Sequence, residues 1–205
     1  TDRYWHQSAG PTLPTSLDEK VMTDVTTLGE TDVRNRDFWR ERFPELHIGE
    51  LLAEASRTGT AAAPASKPTP LDLERFRVDG YFQGRAETLG RLAPVLGAAA
   101  TRCRQMSISP LFLFLFDETW LCFHALHQHV SSILGDYRVL PAFWVWHVDP
   151  QTSQAGWPPH RDKGKHSLDE QGNPLAVTAW IALSDATPLS SCMYILPKSR
   201  DPVYG

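Results

Sequence analysis

Residues 175–197 read LAVTAWIALSDATPLSSCMYILP, two apolar runs parted by a polar turn. Val, Ile, Thr, Trp and Tyr crowd both runs, and these side chains fit a pleated, half-buried surface. A third run of the same kind, RVLPAFWVWHVDP, occupies residues 138–150. In it Trp144 and Trp146 would share one face, with Phe143 and Val145 on the other. Gly, Pro, Asn and Ser separate the three runs, so the spacing predicts three strands after Gly135.

Upstream the period changes. ETLGRLAPVLGAAATRCR (87–104) and DETWLCFHALHQHVSSILG (117–135) read as helices. Asp117 stands where an N-cap is expected and Gly135 where the second helix should stop. PLFLFLF (110–116) is too short and too apolar for an exposed helix and predicts a buried strand or connector. Before these, RNRDFWRERFPELHIGELLAEA (34–55) is helix-like, with Phe38, Phe43, Leu46 and Leu51 able to share a face and Pro44 as an interruption. GTAAAPASKPTP (59–70) has the composition of a linker. Two regions follow from this pass: residues 1–70, helical or extended and ending in the Pro/Ala-rich linker, and residues 71–205, helices followed by strands. Helices first and strands after predict an α+β domain, its helices packed on a sandwich or barrel. A jelly roll needs about eight strands, and the sequence offers three or four. The sheet is therefore expected to be incomplete at the C-terminus.

At 205 residues the chain suffices for one well-filled domain, and seven Trp point to a substantial core. A formal charge of −4 gives no basic face for nucleic acid. The longest apolar run is too short to span a bilayer, so no membrane is expected. TDRYWHQSAG (1–10) does not read as a signal peptide. Cys103, Cys122 and Cys192 are few, odd in number and widely spaced, which predicts free thiols in a reducing, cytoplasmic setting.

The chemistry centres on GWPPHRDKGKH (156–166). His160-Arg161-Asp162 is an H-x-D triplet, and on a strand residues i and i+2 point to one side. An imidazole and a carboxylate can so converge on one ion. With a distant third His, such a pair makes the facial triad of non-heme Fe(II) oxygenases. The bland alternative is a surface ion pair among Asp162, Arg161 and Lys163, worth little. His147-Val148-Asp149 is a second H-x-D, but it lies inside an aromatic run closed by Pro150 and reads as a strand-end pair. His124, His127 and His129 lack a matching carboxylate and read as packing or surface residues. Cys192 has no neighbouring His to activate it and reads as a small buried hydrophobe.

GWPPHRD, followed by LAVTAWIALSDATPLSSCMYILPKSRDP, resembles the phytanoyl-CoA dioxygenase family of Fe(II)- and 2-oxoglutarate-dependent oxygenases. The shared features are His160 and Asp162, then Trp180 with Ile181-Ala182-Leu183, Asp185, Ser191-Cys192 and Pro197-Lys198-Ser199-Arg200. Arg200 departs from the pattern, which has His there. The likeness is specific over residues 144–202 and vague over 71–140. It implies a double-stranded β-helix (jelly roll) flanked by helices. It also implies oxidation of a C–H bond of a small molecule by O2, coupled to conversion of 2-oxoglutarate to succinate and CO2. His160 and Asp162 would hold Fe(II), and Thr178 and Trp180 would line the 2-oxoglutarate pocket. The family's distal His and carboxylate-binding Arg would fall beyond Gly205, since His166 stands too near Asp162 in sequence. A longer natural chain is expected on that ground. Two other readings stay open: a non-catalytic jelly-roll binding module, and a cupin-like metal enzyme that does not use 2-oxoglutarate.

Overall fold

The computed structural model describes residues 33–58, 67–140, 142–148, 158–162, 167–190 and 192–202. Asp149, Trp157, His166 and most of the expected linker lie outside these residues.

Among the described residues the architecture is carried by α1 (Arg36–Arg42), α2 (Glu50–Thr58), α3 (Pro70–Asp79), α4 (Glu87–Gln105) and α5 (Asp117–Leu134). The helix-like stretch over 34–55 is two helices, broken around Pro44, whose ring cannot be accommodated in a helix interior. Asn35 caps α1 by accepting from the Asp37 amide. α3 starts inside the segment whose composition reads as linker. Thr69 and Asp72 form a capping box there, Pro70 takes the first helical position, and Gly80 ends the helix at φ 78°. No helix among the described residues is long and apolar enough to cross a membrane.

The core sits where α1, α4, α5 and the segment between α4 and α5 meet. PLFLFLF is neither strand nor plain connector: Pro110–Leu115 forms a 3₁₀ helix capped by Ser109. Apolar side chains all around a short coil call for burial on several sides at once, and all but the exposed Leu115 are at least partly covered. Phe112 stacks on Trp39 with centroids 4.9 Å apart, and Phe114 stacks on Phe143 at 4.0 Å. Leu113 and Phe116 are buried with Phe43 and Cys103. Trp39 is the largest fully buried side chain among the described residues, and its indole donates to the Val33 carbonyl at 2.9 Å.

Asp117 does not cap its own helix. Phe116 occupies the N-cap of α5, and the Asp117 carboxylate reaches across to α2. It accepts from the amides of Gly49 and Leu51, each at 2.8 Å. Glu118, also buried, accepts from the His47 amide at 3.1 Å and lies 2.6 Å from His47 Nδ1. Asp117 thus occupies orphan amides at the start of α2 and Glu118 the amide of His47 just before it, as buried charge requires.

The jelly roll expected from the sequence is overturned. Among the described residues there is no strand, and the only β pairing is an isolated antiparallel bridge between Leu168 and Pro174. The three β-rich runs form no ladder. In the first, Phe143 and Val145 turn toward the helices, while Trp144 and Trp146 stand exposed with centroids 5.9 Å apart. The predicted two-face alternation is present, but the tryptophans hold the outer face. β-propensity records how a side chain fits a paired, half-buried surface, and it supplies no partner strand. Without pairing, the same residues remain irregular and exposed, as Leu175, Trp180, Tyr194 and Leu196 do.

Candidate metal centre

His160 and Asp162 converge without a strand to align them. His160 Nε2 lies 3.1 Å from Asp162 Oδ1, and the ring's other nitrogen, Nδ1, lies 2.8 Å from the Pro158 carbonyl oxygen. A carbonyl only accepts, so Nδ1 carries the hydrogen and donates to it. In the neutral ring, Nε2 then presents a lone pair toward a carboxylate oxygen. Two acceptors at that distance need a cation between them: a second proton on the ring, or a metal ion.

The donor set fits a metal. Bonds of about 2.1 Å to N and O ligands, set at right angles, put adjacent ligand atoms about 3.0 Å apart, close to the separation found. An imidazole nitrogen and an anionic oxygen suit Fe(II) and its divalent neighbours. The backbone carbonyl on Nδ1 is the outer partner that fixes ring orientation in such sites.

Asp162 has a second partner. The Thr178 hydroxyl donates to its Oδ2 at 2.7 Å, leaving Oδ1 directed at His160. Ser167 Oγ donates to the Asp162 carbonyl at 3.3 Å. The turn that follows is closed by Asp169, which accepts from the Gln171 and Asn173 amides and the Asn173 side chain. The Asn173 bonds hold its carboxyl below the usual carboxylate range. This compact turn begins the return from Asp162 to Thr178.

Two contacts seat this region on the helices. Arg161 forms an ion pair with Asp201 rather than with Asp162. The neighbouring 3₁₀ turn, Lys198–Arg200, lies on the end of α3, where Ser199 Oγ donates to Asp79 Oδ1 at 2.8 Å. The run that carries Thr178 and Trp180 docks one and three residues past Trp180. Ile181 and Leu183 pack against the core, and a Cβ added at Gly97 of α4 would lie 2.3 Å from the Leu183 carbonyl oxygen.

The other predicted residues fall elsewhere. Trp180 is half exposed. His147 receives a hydrogen bond from Arg104 at its Nδ1, 2.9 Å away, beside the end of α4. His127 pairs with the Tyr137 hydroxyl at 3.0 Å. His129 stacks on Phe82, and burial lowers its pKa, partly offset by Asp72. Among the described residues no group of three His, Cys, Asp or Glu side chains comes together as a metal site. His160 and Asp162 would supply two ligand atoms.

Sequence reading missed Thr178 as a partner of Asp162, and missed Asp201 altogether. The ion pair spans forty positions, and no local pattern links its ends. Only the Arg between His and Asp hinted that the loop needs an anion.

The family model for phytanoyl-CoA dioxygenase matches residues 81–203, a span that takes in His160, Asp162, Thr178, Trp180 and both ends of the Arg161–Asp201 pair. No curated protein and no solved structure matches the chain.

Proposed function

Because the chain belongs to the phytanoyl-CoA dioxygenase family, we propose that it is an Fe(II)- and 2-oxoglutarate-dependent dioxygenase acting on a C–H bond of a small molecule. The observation that carries this reading is the 3.1 Å approach of His160 Nε2 to Asp162 Oδ1, with Nδ1 already committed to a carbonyl. Fe(II) bound there would activate O2, one oxygen atom entering the substrate and the other the succinate formed as 2-oxoglutarate loses CO2.

The chain's own residues do the rest by holding and orienting. His160 offers a neutral nitrogen because Pro158 takes its proton-bearing one. Asp162 supplies negative charge through Oδ1, while Thr178 occupies Oδ2 and disfavours a bidentate clasp. One-oxygen ligation leaves more positions open for the co-substrate's carboxylate and keto oxygens. Trp180 would line the co-substrate pocket and offer it an apolar wall.

The test is succinate release when Fe(II), ascorbate, 2-oxoglutarate and candidate small molecules are supplied. Turnover above background that Asp162→Ala abolishes and Asp149→Ala leaves intact supports the assignment. Fe(II) binding with no decarboxylation under any substrate would make the chain a metal-binding module instead. Equal loss in both variants would put the metal at the other H-x-D.

A further inference from the structure

With no strand among the described residues, the loop that would hold the metal needs another source of rigidity. In this chain the loop 158–162 is tied to the helical body through the residue between the two ligands. Arg161 and Asp201 form an ion pair, and the Asp201 side chain is only 12 % exposed against 49 % for Arg161. A mostly desolvated carboxylate gains more from a guanidinium than an exposed one would. Asp201 closes the turn Lys198–Arg200, whose backbone bonds run from Arg200 N to Pro197 O at 2.9 Å and from Asp201 N to Lys198 O at 3.3 Å. That turn is fixed in its turn to α3. Ser199 bonds Asp79, and a Cβ on Gly80 would meet Lys198 Cβ at 3.3 Å, tighter than ordinary van der Waals contact. Gly80 also ends α3 at a positive φ that disfavours a side chain. A continuous path therefore runs from the end of α3, through Ser199 and Asp201, to Arg161, and its last member is flanked by both ligands.

We propose that Arg161 is a positioning residue for the metal site: its ion pair with Asp201 sets the separation of His160 and Asp162 and couples that pair to the end of α3. The proposal rests on the assignment of His160 and Asp162 as metal ligands. The guanidinium does not touch the metal. It holds the intervening residue on the Asp201 side, so that the His160 and Asp162 side chains are left to meet each other and Thr178. Metal affinity then depends on a pair that supplies no ligand atom, in the way outer partners of metal ligands commonly tune it.

The experiment is a double-mutant cycle on Co(II) binding to the whole chain, read by titration and by the visible d–d absorption of the bound ion. Arg161→Ala and Asp201→Ala should each raise the Co(II) Kd by about three- to tenfold and alter the d–d bands in the same way. The double variant should be no weaker than either single one, because both remove one interaction. Arg161→Lys should fall between, keeping the charge but losing the planar fork. Circular dichroism and thermal unfolding without metal should match the parent, which separates positioning from loss of fold. Wild-type affinity and bands in Arg161→Ala, or losses that add in the double variant, would overturn the proposal. If the parent chain binds no Co(II), or Asp162→Ala binds it equally well, the ligand assignment fails first and this inference with it.

Discussion

An imidazole nitrogen without a hydrogen and a carboxylate oxygen, 3.1 Å apart, repel unless something positive lies between them. That condition rests on one further atom, the Pro158 carbonyl oxygen, which claims the ring's hydrogen. The H-x-D spacing was enough to foresee the convergence, since residues two apart can face one way even where no sheet forms. It was not enough to foresee Thr178, whose hydroxyl comes to Asp162 from sixteen positions away. Family likeness implies a place for Thr178 in the co-substrate pocket, and its hydroxyl is bonded to the Asp162 carboxylate. The consequence is testable by removing the hydroxyl alone. Thr178→Val should free Oδ2 and weaken Fe(II) binding by roughly tenfold, while Thr178→Ser, which keeps the donor, should stay near the parent. Isothermal titration under anaerobic conditions distinguishes them, and equal affinity for Val and Ser would mean the hydrogen bond does not orient the ligand.

At the scale of elements, helices were legible, while the strands read from β-propensity do not form among the described residues, for one reason. A helix closes its hydrogen bonds within its own segment, so α4 and α5 could be read from their apolar period and from Gly135. A strand depends on a partner elsewhere in the chain, and no residue in AVTAWIAL says which partner that is. The start of α3 was also readable, since Thr69, Pro70 and Asp72 spell a capping box; composition hid it inside a linker. One close approach decides how the Thr178 run meets the helices. In most exposed helix interiors Gly→Ala gains about 1 kcal/mol. At Gly97 the new methyl would stand 2.3 Å from the Leu183 carbonyl oxygen, which is backbone and cannot swing aside. Gly97→Ala should therefore be destabilising in urea titration. It should also loosen Ile181 and Leu183 from α4, and with them the Thr178 bond. Gly90→Ala is the control, with nothing near its added Cβ, and should be neutral or stabilising.

At the scale of the whole molecule, two of the three thiols, Cys103 and Cys122, are buried. Burial pushes Cys103 up to about 12 and Cys122 up to about 11, the latter helped by the nearby Glu118 charge. In the unfolded chain both thiols lose their protons from about pH 8.5, so the folded state binds more protons above that point. Their stabilising contribution is full below the unfolded value and is lost as pH rises through 9 toward 11–12. The thermal midpoint should fall across pH 9–11, and the fall should be shallower in Cys103→Ala/Cys122→Ala; an unchanged slope would place the alkaline sensitivity elsewhere. The long reach of Asp117 has a different sort of outcome. Its carboxylate caps α2 from 66 and 68 positions downstream, and the Asp117 amide in return donates to the His47 carbonyl at 2.8 Å. The first turn of α2 is therefore absent from the local repertoire of the N-terminal chain. It can form only after α5 has a beginning, however early that segment leaves the ribosome. In native-state hydrogen exchange the Gly49 and Leu51 amides should be released with the opening of α5, on its slow schedule, while the distal, exposed turns of α2 fray independently.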